Sequence, residues 1–237
     1  MSRRPFLTAR WADLVILTWP VPPGLLEPSL PPGCRLDHLA GQAFVSLVAF
    51  DFLETRVLGV SWPGFRSFPE VNLRFYVQEG PDRGVCFLRE YVPSRVVAGL
   101  ARALYHEPYR AASMTSRVER SAGGATVEHR LTRQGRASTV RVEAQGPAFI
   151  PGEDSEAEFF KEHRWGFGRT RGGRLLRYEV VHPRWAVDPV RRVVLDWDFA
   201  GLYGPEWAFL AESPWRSALL ARGSPVAVYP GTAGGAR

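Results

Sequence analysis

The sequence is poor in lysine, cysteine and long apolar runs. Lys161 is the only lysine among 30 lysine and arginine residues, so lysine-based chemistry has a single candidate. The two cysteines, Cys34 and Cys86, lie far apart and outside any CxxC or Cys/His cluster, which excludes a metal or redox motif. No apolar run approaches the length of a membrane span, and the first residues lack a signal-peptide core, so we expect a cytoplasmic protein with no membrane partner.

Motifs for nucleotides, hydrolases and metals are also absent. The chain has no GxGxxG, GxxxxGK[ST] or GxSxG pattern, and its histidines lack the spacing of metal ligands, so we expect no metal and no cofactor. A net charge of +6 and a sequence pI of about 9.8 are features that nucleic-acid-binding proteins share. The arginines are scattered among acidic residues rather than gathered in one stripe, so we expect no nucleic-acid partner.

The composition is that of an ordinary globular protein with a substantial core. Hydrophobic residues make up 45% and charged residues 23% of the 237 residues. Because the sequence contains no internal repeat and no linker, its length predicts one domain over residues 1–230. The remaining residues, 231–237, have no apolar anchor and are predicted to form a flexible tail.

Most of the sequence has the pattern of β-strands. Residues 43–52 form an apolar run typical of a buried strand, and residues 71–78 alternate between apolar and polar side chains. Residues 6–19 are ambiguous between a helix and a strand, and the aromatic region after residue 182 is predicted to be irregular. Further strands are predicted on both sides of Gly172-Gly173 and at 84–92, 113–120, 125–132 and 138–145.

Two predicted helices interrupt the strands. Residues 94–106 carry apolar side chains at helical spacing and end before Pro108. A second, shorter helix is predicted within residues 151–163, where Ser155 and Glu158 fit a capping box. Many strands with few helices indicate an α+β, mostly antiparallel β fold class, and closing the sheet into a barrel would remove its edges.

Four local sequences carry a family resemblance, extending from about Phe6 to Tyr203. They are FLTARWADLVILTWPVPPGLLEPSLPPG, AFVSLVAFDF, PGFRSFPEVNLRFYV and FLREYVPSRVVAGLARALYHEPYRAASM, of which PEVNLR and the helix ending in LYxEPY are the most specific. With these residues the chain resembles the YqjF-type family of unknown function, which is similar in turn to acetoacetate decarboxylase. The resemblance implies a conical antiparallel β-barrel with a few flanking helices and a site in its interior.

The resemblance also implies which residues replace the decarboxylase lysine. In acetoacetate decarboxylases the Schiff-base lysine follows a proline shortly after a helix, in a Pro-Lys-Lys context. The corresponding residues here are Pro108, Tyr109 and Arg110. Arginine stays protonated and does not form the imine on which that decarboxylation depends. Lys161 lies in a predicted exposed helix, FFKEH, so we expect it on the surface and expect Schiff-base decarboxylase activity to be lost.

The strongest site candidates lie on one predicted strand. Glu70, Asn72 and Arg74 follow each other at period two, so their side chains project from the same face. The resemblance implies that this face lines the barrel interior, and the alternative is a buried Glu–Arg pair that only fixes strand register. Tyr109 and Arg110 form the second candidate group, in which Arg110 either presents a cation to the cavity or lies on the surface after the helix end.

These candidates favour a protein that binds a small anionic, carboxylate-type molecule. Arg74 and Arg110 would hold the anion, while Glu70 and Asn72 would orient it in a mostly apolar cavity. One alternative is a lysine-independent lyase or hydrolase, in which Glu70 acts as the base and an arginine as the electrophile. The other alternative is a structural or interaction protein that forms a homo-oligomer through its aromatic C-terminal region.

Overall fold

The structure, a computed structural model, describes residues 3–96, 98–99 and 108–233, and in these ranges most residues belong to two β-sheets. Ten strands form the first sheet: β1 (Leu7–Val21), β2 (Arg35–Leu36), β3 (Ala43–Val57), β4 (Phe68–Glu79), β5 (Asp82–Val92), β6 (Tyr109–Ala111), β10 (Trp165–Arg169), β11 (Leu175–Val181), β12 (Val187–Asp188) and β14 (Ser217–Ala233). Four strands form the second sheet: β7 (Ser113–Ser121), β8 (Gly124–Arg133), β9 (Arg136–Gln145) and β13 (Val190–Asp196).

The pairings of the first sheet close into a circuit. Its order is β4, β3, β1, β14, β11, β10 and β5, and β5 pairs with β4 again. The longest pairings join β1 to β3 and to β14, antiparallel in both cases. Because each strand of the circuit pairs on both sides, its backbone donors and acceptors are used within the sheet, and side chains on either face are placed by a fixed register.

The helices in the described ranges are short. They comprise α1 (Glu156–Lys161), α2 (Phe199–Tyr203) and the 3-10 turns Pro23–Leu25, Glu27–Ser29 and Pro205–Ala211. The predicted cap of α1 is confirmed, because the Ser155 hydroxyl accepts a hydrogen bond from the Glu158 N–H at 3.2 Å. Among the described residues, no helix has the length and hydrophobicity needed to cross a membrane.

The second sheet packs one apolar face against the main core. Alternate residues of β8 and β9 are buried, and they join a cluster that includes inward residues of β1, β3 and β4. Alternation also places Val71 and Leu73 of β4 in this cluster, which leaves the intervening polar residues on the opposite face. The packing therefore fixes which face of β4 is available for a site.

Most predicted strands are present, and the differences lie at the chain ends. Of residues 6–19, for which the sequence left a helix and a strand open, residues 7–19 belong to β1, and the region predicted to be irregular contains the long strand β14. Residues 231–233, expected in a flexible tail, continue β14, since backbone pairing with β11 anchors them without apolar side chains. The predicted helix at 94–106 lies mostly outside the described residues. Of its described residues, 95–96 and 98–99 are helical.

Candidate functional site

A cavity of about 80 Å³ is lined by side chains from the strands of the circuit, from β6 and from the end of α1. One water molecule needs roughly 10–15 Å³ of such space, so the cavity has room for a small molecule of several non-hydrogen atoms. Four of the predicted site residues, Glu70, Asn72, Arg74 and Tyr109, line this cavity, whereas Arg110 does not.

The polar face of β4 forms one wall of the cavity. Glu70, Asn72 and Arg74 project from this face at period two, as predicted, and are only 3%, 2% and 8% exposed. Both faces of this part of β4 are therefore buried, one against the apolar core and one against the cavity. Burial of a carboxylate, an amide and a guanidinium on one strand is costly unless these groups find partners, so their contacts decide what the wall does.

The contacts of the β4 residues tie the wall to its neighbours. The Glu70 carboxylate accepts hydrogen bonds from Asn72 Nδ2 at 3.2 Å and from the Tyr109 hydroxyl at 3.1 Å. Arg74 donates from a terminal nitrogen to the backbone oxygen of Phe160 at 2.9 Å. The wall is thus joined to β6 at one end and to α1 at the other.

The short strand β6 turns Tyr109 and Arg110 in opposite directions. Tyr109 is half-buried and lines the cavity, while Arg110 is exposed and lies outside the lining. Successive side chains of a strand point to opposite faces, so a strand that turns Tyr109 inward turns Arg110 outward. The structure therefore does not bring Arg110 to the cavity position that was predicted for it.

Lys161 is buried in the cavity wall, and the prediction of a surface position is wrong. Its side chain is fully buried, and its Nζ lies 2.8 Å from Glu158 Oε2 and 2.5 Å from Glu162 Oε1. The lysine follows the buried Phe159 and Phe160, so the end of α1 packs inward and carries the ammonium group with it. The cavity thus has a second buried cation, although it comes from α1 rather than from β6.

Two further residues that the sequence analysis did not single out, His163 and His182, line the cavity. Burial lowers the pKa of His163 well below its ordinary value, and the nearby positive charge of Arg74 acts in the same direction. Burial also lowers the pKa of His182, whose ring stacks on Trp185 with the ring centroids 4.0 Å apart. Both imidazoles are therefore neutral at neutral pH. The spacing of His163 and His182 in the sequence does not predict that they line one cavity, because they meet only through the inward turn of the chain after α1.

Several buried polar atoms of the lining residues have no hydrogen-bond partner in the described part of the chain. Two of them lie on β4, namely the acceptor Asn72 Oδ1 and the donor Arg74 Nε, and the others are Trp11 Nε1 and His163 Nδ1. Native proteins contain few buried polar atoms without a hydrogen-bond partner, and a water molecule or a ligand group can supply the missing hydrogen bond. All four atoms belong to residues that line this one cavity.

Apolar and aromatic side chains complete the lining. Six of the aromatic ones are Trp11, Phe50, Phe52, Phe87, Tyr178 and Trp185. An apolar enclosure with a few fixed polar groups is the usual composition of a small-molecule site, because the enclosure excludes water and the polar groups select the ligand. Among the described residues, no group of three or more histidine, cysteine, aspartate or glutamate side chains is arranged to hold a metal ion.

Solved structures with the acetoacetate decarboxylase-like fold match most of the chain. The acetoacetate decarboxylase of Legionella pneumophila has a TM-score of 0.65 at 12% identity, covering 96% of this chain and 86% of that chain. The enduracididine biosynthesis enzyme MppR, solved in complex with pyruvate, has a TM-score of 0.68 at 15% identity, covering 98% and 91%. An acetoacetate decarboxylase-like enzyme from Sphingomonas wittichii RW1 has a TM-score of 0.65 at 14% identity, covering 95% and 91%. These likenesses show the fold.

Sequence comparison agrees with the fold and gives the family. The uncharacterized protein YqjF of Bacillus subtilis strain 168 is 28% identical over 179 residues, which cover 74% of this chain and 72% of that protein. The model of the DUF2071 family, described as an uncharacterized conserved protein, matches residues 8–225. The YqjF-type resemblance and its link to the acetoacetate decarboxylase-like fold are confirmed, and the chain belongs to the DUF2071 family.

Proposed function

We propose that this protein binds a small carboxylate in the cavity, with Arg74 and Lys161 as the cationic groups. The observation that carries this proposal is the pair of buried cations that line one cavity together with many apolar and aromatic side chains. Arg74 keeps its buried Nε without a hydrogen-bond partner among the described residues. Lys161 donates a hydrogen bond to Glu162 and forms an ion pair with Glu158. An ammonium group has three N–H donors, so Lys161 has donor capacity for a ligand.

The chemistry of the two cations suits a carboxylate. A guanidinium binds a planar carboxylate through charge-assisted hydrogen bonds, which are about twice as strong as hydrogen bonds between neutral groups. Exclusion of water by the aromatic lining strengthens such contacts further. The likeness to MppR supports the same ligand class, since that enzyme was solved in complex with pyruvate, a small carboxylate. We further propose that the closed circuit of strands is the conical barrel of this fold, within a single domain.

The first test compares two arginine-to-methionine variants in a thermal-shift screen with pyruvate and related small carboxylates. A ligand at about 100 times its dissociation constant stabilises a protein by roughly 2.7 kcal/mol. For a chain of this size that free energy raises Tm by roughly 5–10 °C. We expect the shift in wild type and its loss in Arg74→Met, which removes the buried guanidinium but keeps an apolar stem of similar volume. Phe160 O keeps the Tyr76 hydroxyl, at 3.3 Å, as a hydrogen-bond donor.

The matched control is Arg110→Met, because Arg110 is exposed and lies outside the cavity. This variant should retain the full ligand-induced shift. Loss of the shift in Arg110→Met together with its retention in Arg74→Met would contradict the proposed site, and a screen without any shift would contradict the proposed function.

We also propose that binding proceeds without an imine. Tyr109 and Arg110 stand at the positions that the family resemblance gives to the two decarboxylase lysines, and the Lys161 Nζ contacts two carboxylates. Neither a phenol nor a guanidinium forms an imine, so a 2-oxo acid is expected to bind without covalent attachment.

Borohydride trapping tests this prediction directly. Wild-type protein incubated with pyruvate and sodium borohydride should keep its unmodified mass at Lys161, the only side-chain amine in the chain. A peptide that carries the reduced pyruvate adduct at Lys161, and that is absent from the Lys161→Arg variant, would instead establish lysine-dependent carbonyl chemistry in this cavity.

A further inference from the structure

The cavity has an acidic end as well as cations. Glu90 of β5 is 1% exposed, lines the cavity and neighbours Asn72 and Tyr109 in the sheet register. Glu70 hydrogen-bonds to the same two residues, so two buried acidic side chains gather at this end of the cavity. Arg74 lies four residues along β4 from Glu70, about 13 Å between Cα atoms at the usual rise of a strand. The cation and the acidic side chains are therefore separated along the wall.

Asn72 presents an open acceptor between these groups. Its Nδ2 donates to the Glu70 carboxylate, which fixes the amide orientation because a carboxylate accepts hydrogen bonds. Its Oδ1 is buried and has no hydrogen-bond partner among the described residues, and the whole side chain is only 2% exposed. A plain carboxylate has no donor to offer this oxygen. A ligand that satisfies Asn72 Oδ1 therefore carries a hydrogen-bond donor in addition to its acceptor oxygens.

We propose that the ligand is a small amino-acid-type zwitterion, an inference that rests on the proposed function above. Its carboxylate binds the Arg74 and Lys161 end, and its ammonium group lies against Asn72 Oδ1 and the side chains of Glu70 and Glu90. An ammonium group has three donors, so it can donate to Asn72 Oδ1 and still present donors to the neighbouring acidic side chains, whereas a hydroxyl group has one donor.

The charges around the cavity favour a zwitterion over a plain anion. Lys161 contacts two carboxylates of its own chain segment, and the acidic side chains of Glu70 and Glu90 also line the cavity. A plain anion has no cationic group to place beside these acidic side chains. A zwitterion adds no net charge and supplies a cation where the acidic side chains lie.

Titration calorimetry with matched ligands at neutral pH tests this inference. The amines are L-alanine, β-alanine and γ-aminobutyrate, which differ in the distance between ammonium and carboxylate groups. The comparison ligands are propionate, butyrate, L-lactate and pyruvate. We expect at least one amine to bind wild type on the order of tenfold more tightly than its amine-free counterpart. In Glu90→Gln this preference should shrink to near unity while propionate or butyrate binding is retained.

The exposed Glu119→Gln, on β7, is the matched control and should keep the wild-type preference. Asn72→Leu, which removes the open acceptor at similar volume, provides a second variant if Glu90→Gln does not fold. Equal binding of amines and amine-free acids, or an undiminished preference in both cavity variants, would overturn the zwitterion and leave the proposed carboxylate site intact. Absence of binding by every ligand of the series would overturn the proposed function as well.

Discussion

The Lys161→Met variant is expected to lose about 3 kcal/mol of its free energy of unfolding. The Lys161 ammonium group is fully buried and contacts Glu158 and Glu162 at 2.8 Å and 2.5 Å. Methionine removes the cation and leaves both carboxylates in a largely buried position. Breaking a buried ion pair by removing one partner costs roughly 3–5 kcal/mol, because the remaining charge has lost its compensation.

The lower end of that range is expected because both carboxylates keep another partner. Glu158 accepts a hydrogen bond from Arg184 at 2.7 Å, and Glu162 accepts one from the Trp185 backbone N–H at 3.0 Å. Burial opposes ionisation of Glu158, but the hydrogen bonds from Arg184 and Lys161 outweigh it and lower the pKa of this carboxyl. Loss of Lys161 therefore weakens this network without abolishing it.

Urea unfolding monitored by circular dichroism measures the difference. The control is Arg117→Met, which removes a cation from the exposed Arg117–Glu119 pair, whose nitrogen–oxygen distance is 2.6 Å and whose side chains are 78% and 60% exposed. An exposed pair contributes little, so this variant should stay within roughly 0.5 kcal/mol of wild type. Equal stability of Lys161→Met and Arg117→Met would contradict a buried position for Lys161 and would remove it from the cavity wall.

The β4 wall shows how far strand periodicity alone can predict a site. Alternation determines that Glu70, Asn72 and Arg74 share a face, because the period of a strand is two whatever surrounds it. Alternation does not determine whether that face meets solvent or a cavity. That outcome depends on long-range pairing, here the closure of the circuit through β4 and β5, which joins strands that local patterns cannot assign to each other.

Lys161 and Arg110 show where local sequence patterns are insufficient. Helix α1 has six residues, fewer than two turns, so hydrophobic periodicity cannot determine which side packs inward. The local sequence FFKEH predicts an exposed helix, but the acidic neighbours of Lys161 are the ion-pair partners of a buried ammonium group. Arg110 follows the inward Tyr109 directly, and strand alternation would have turned it outward once β6 was known to be a strand.

Strand β14 was missed for a related reason. Its sequence includes Gly223, Pro225, Pro230 and Gly231, which locally indicate turns rather than a strand. The strand is nevertheless continuous because β1 and β11 pair with it on its two sides. Gly223 has a φ of +73°, and an added Cβ would lie 2.0 Å from the Trp11 backbone oxygen. The glycine thus permits close pairing with β1.

Acidification from about pH 7.5 to about pH 5 is expected to lower the free energy of unfolding by roughly 2 kcal/mol through His129 alone. Burial in the apolar face of β8 lowers the pKa of His129 from 6.5 to about 4. Between these two values the unfolded chain binds a proton that the folded protein does not bind. The stability that depends on neutral His129 is therefore complete above about pH 6.5 and is lost as the pH falls towards about 4.

Other titrating groups also contribute to the pH dependence of the free energy of unfolding. The pKa values of His163 and His182 are also lowered by burial, so both histidines add to the loss in acid. Burial raises the pKa of Asp51, which opposes the loss because the folded protein then retains a proton that the unfolded chain releases. Because three histidines have lowered pKa values and one aspartate has a raised pKa, the net effect of acidification is a loss of stability.

Urea unfolding at the two pH values separates the contribution of His129 from the others. His129→Leu removes the titrating ring at a fully buried position and should show a smaller loss on acidification, by roughly 2 kcal/mol, while retaining the part due to His163 and His182. The exposed His38→Gln is the control for removing a histidine and should keep the wild-type loss. An unchanged pH dependence in His129→Leu would show that His129 is protonated within the folded protein, and its place in the apolar face of β8 would have to be revised, because a charged imidazole is not stable there without a partner.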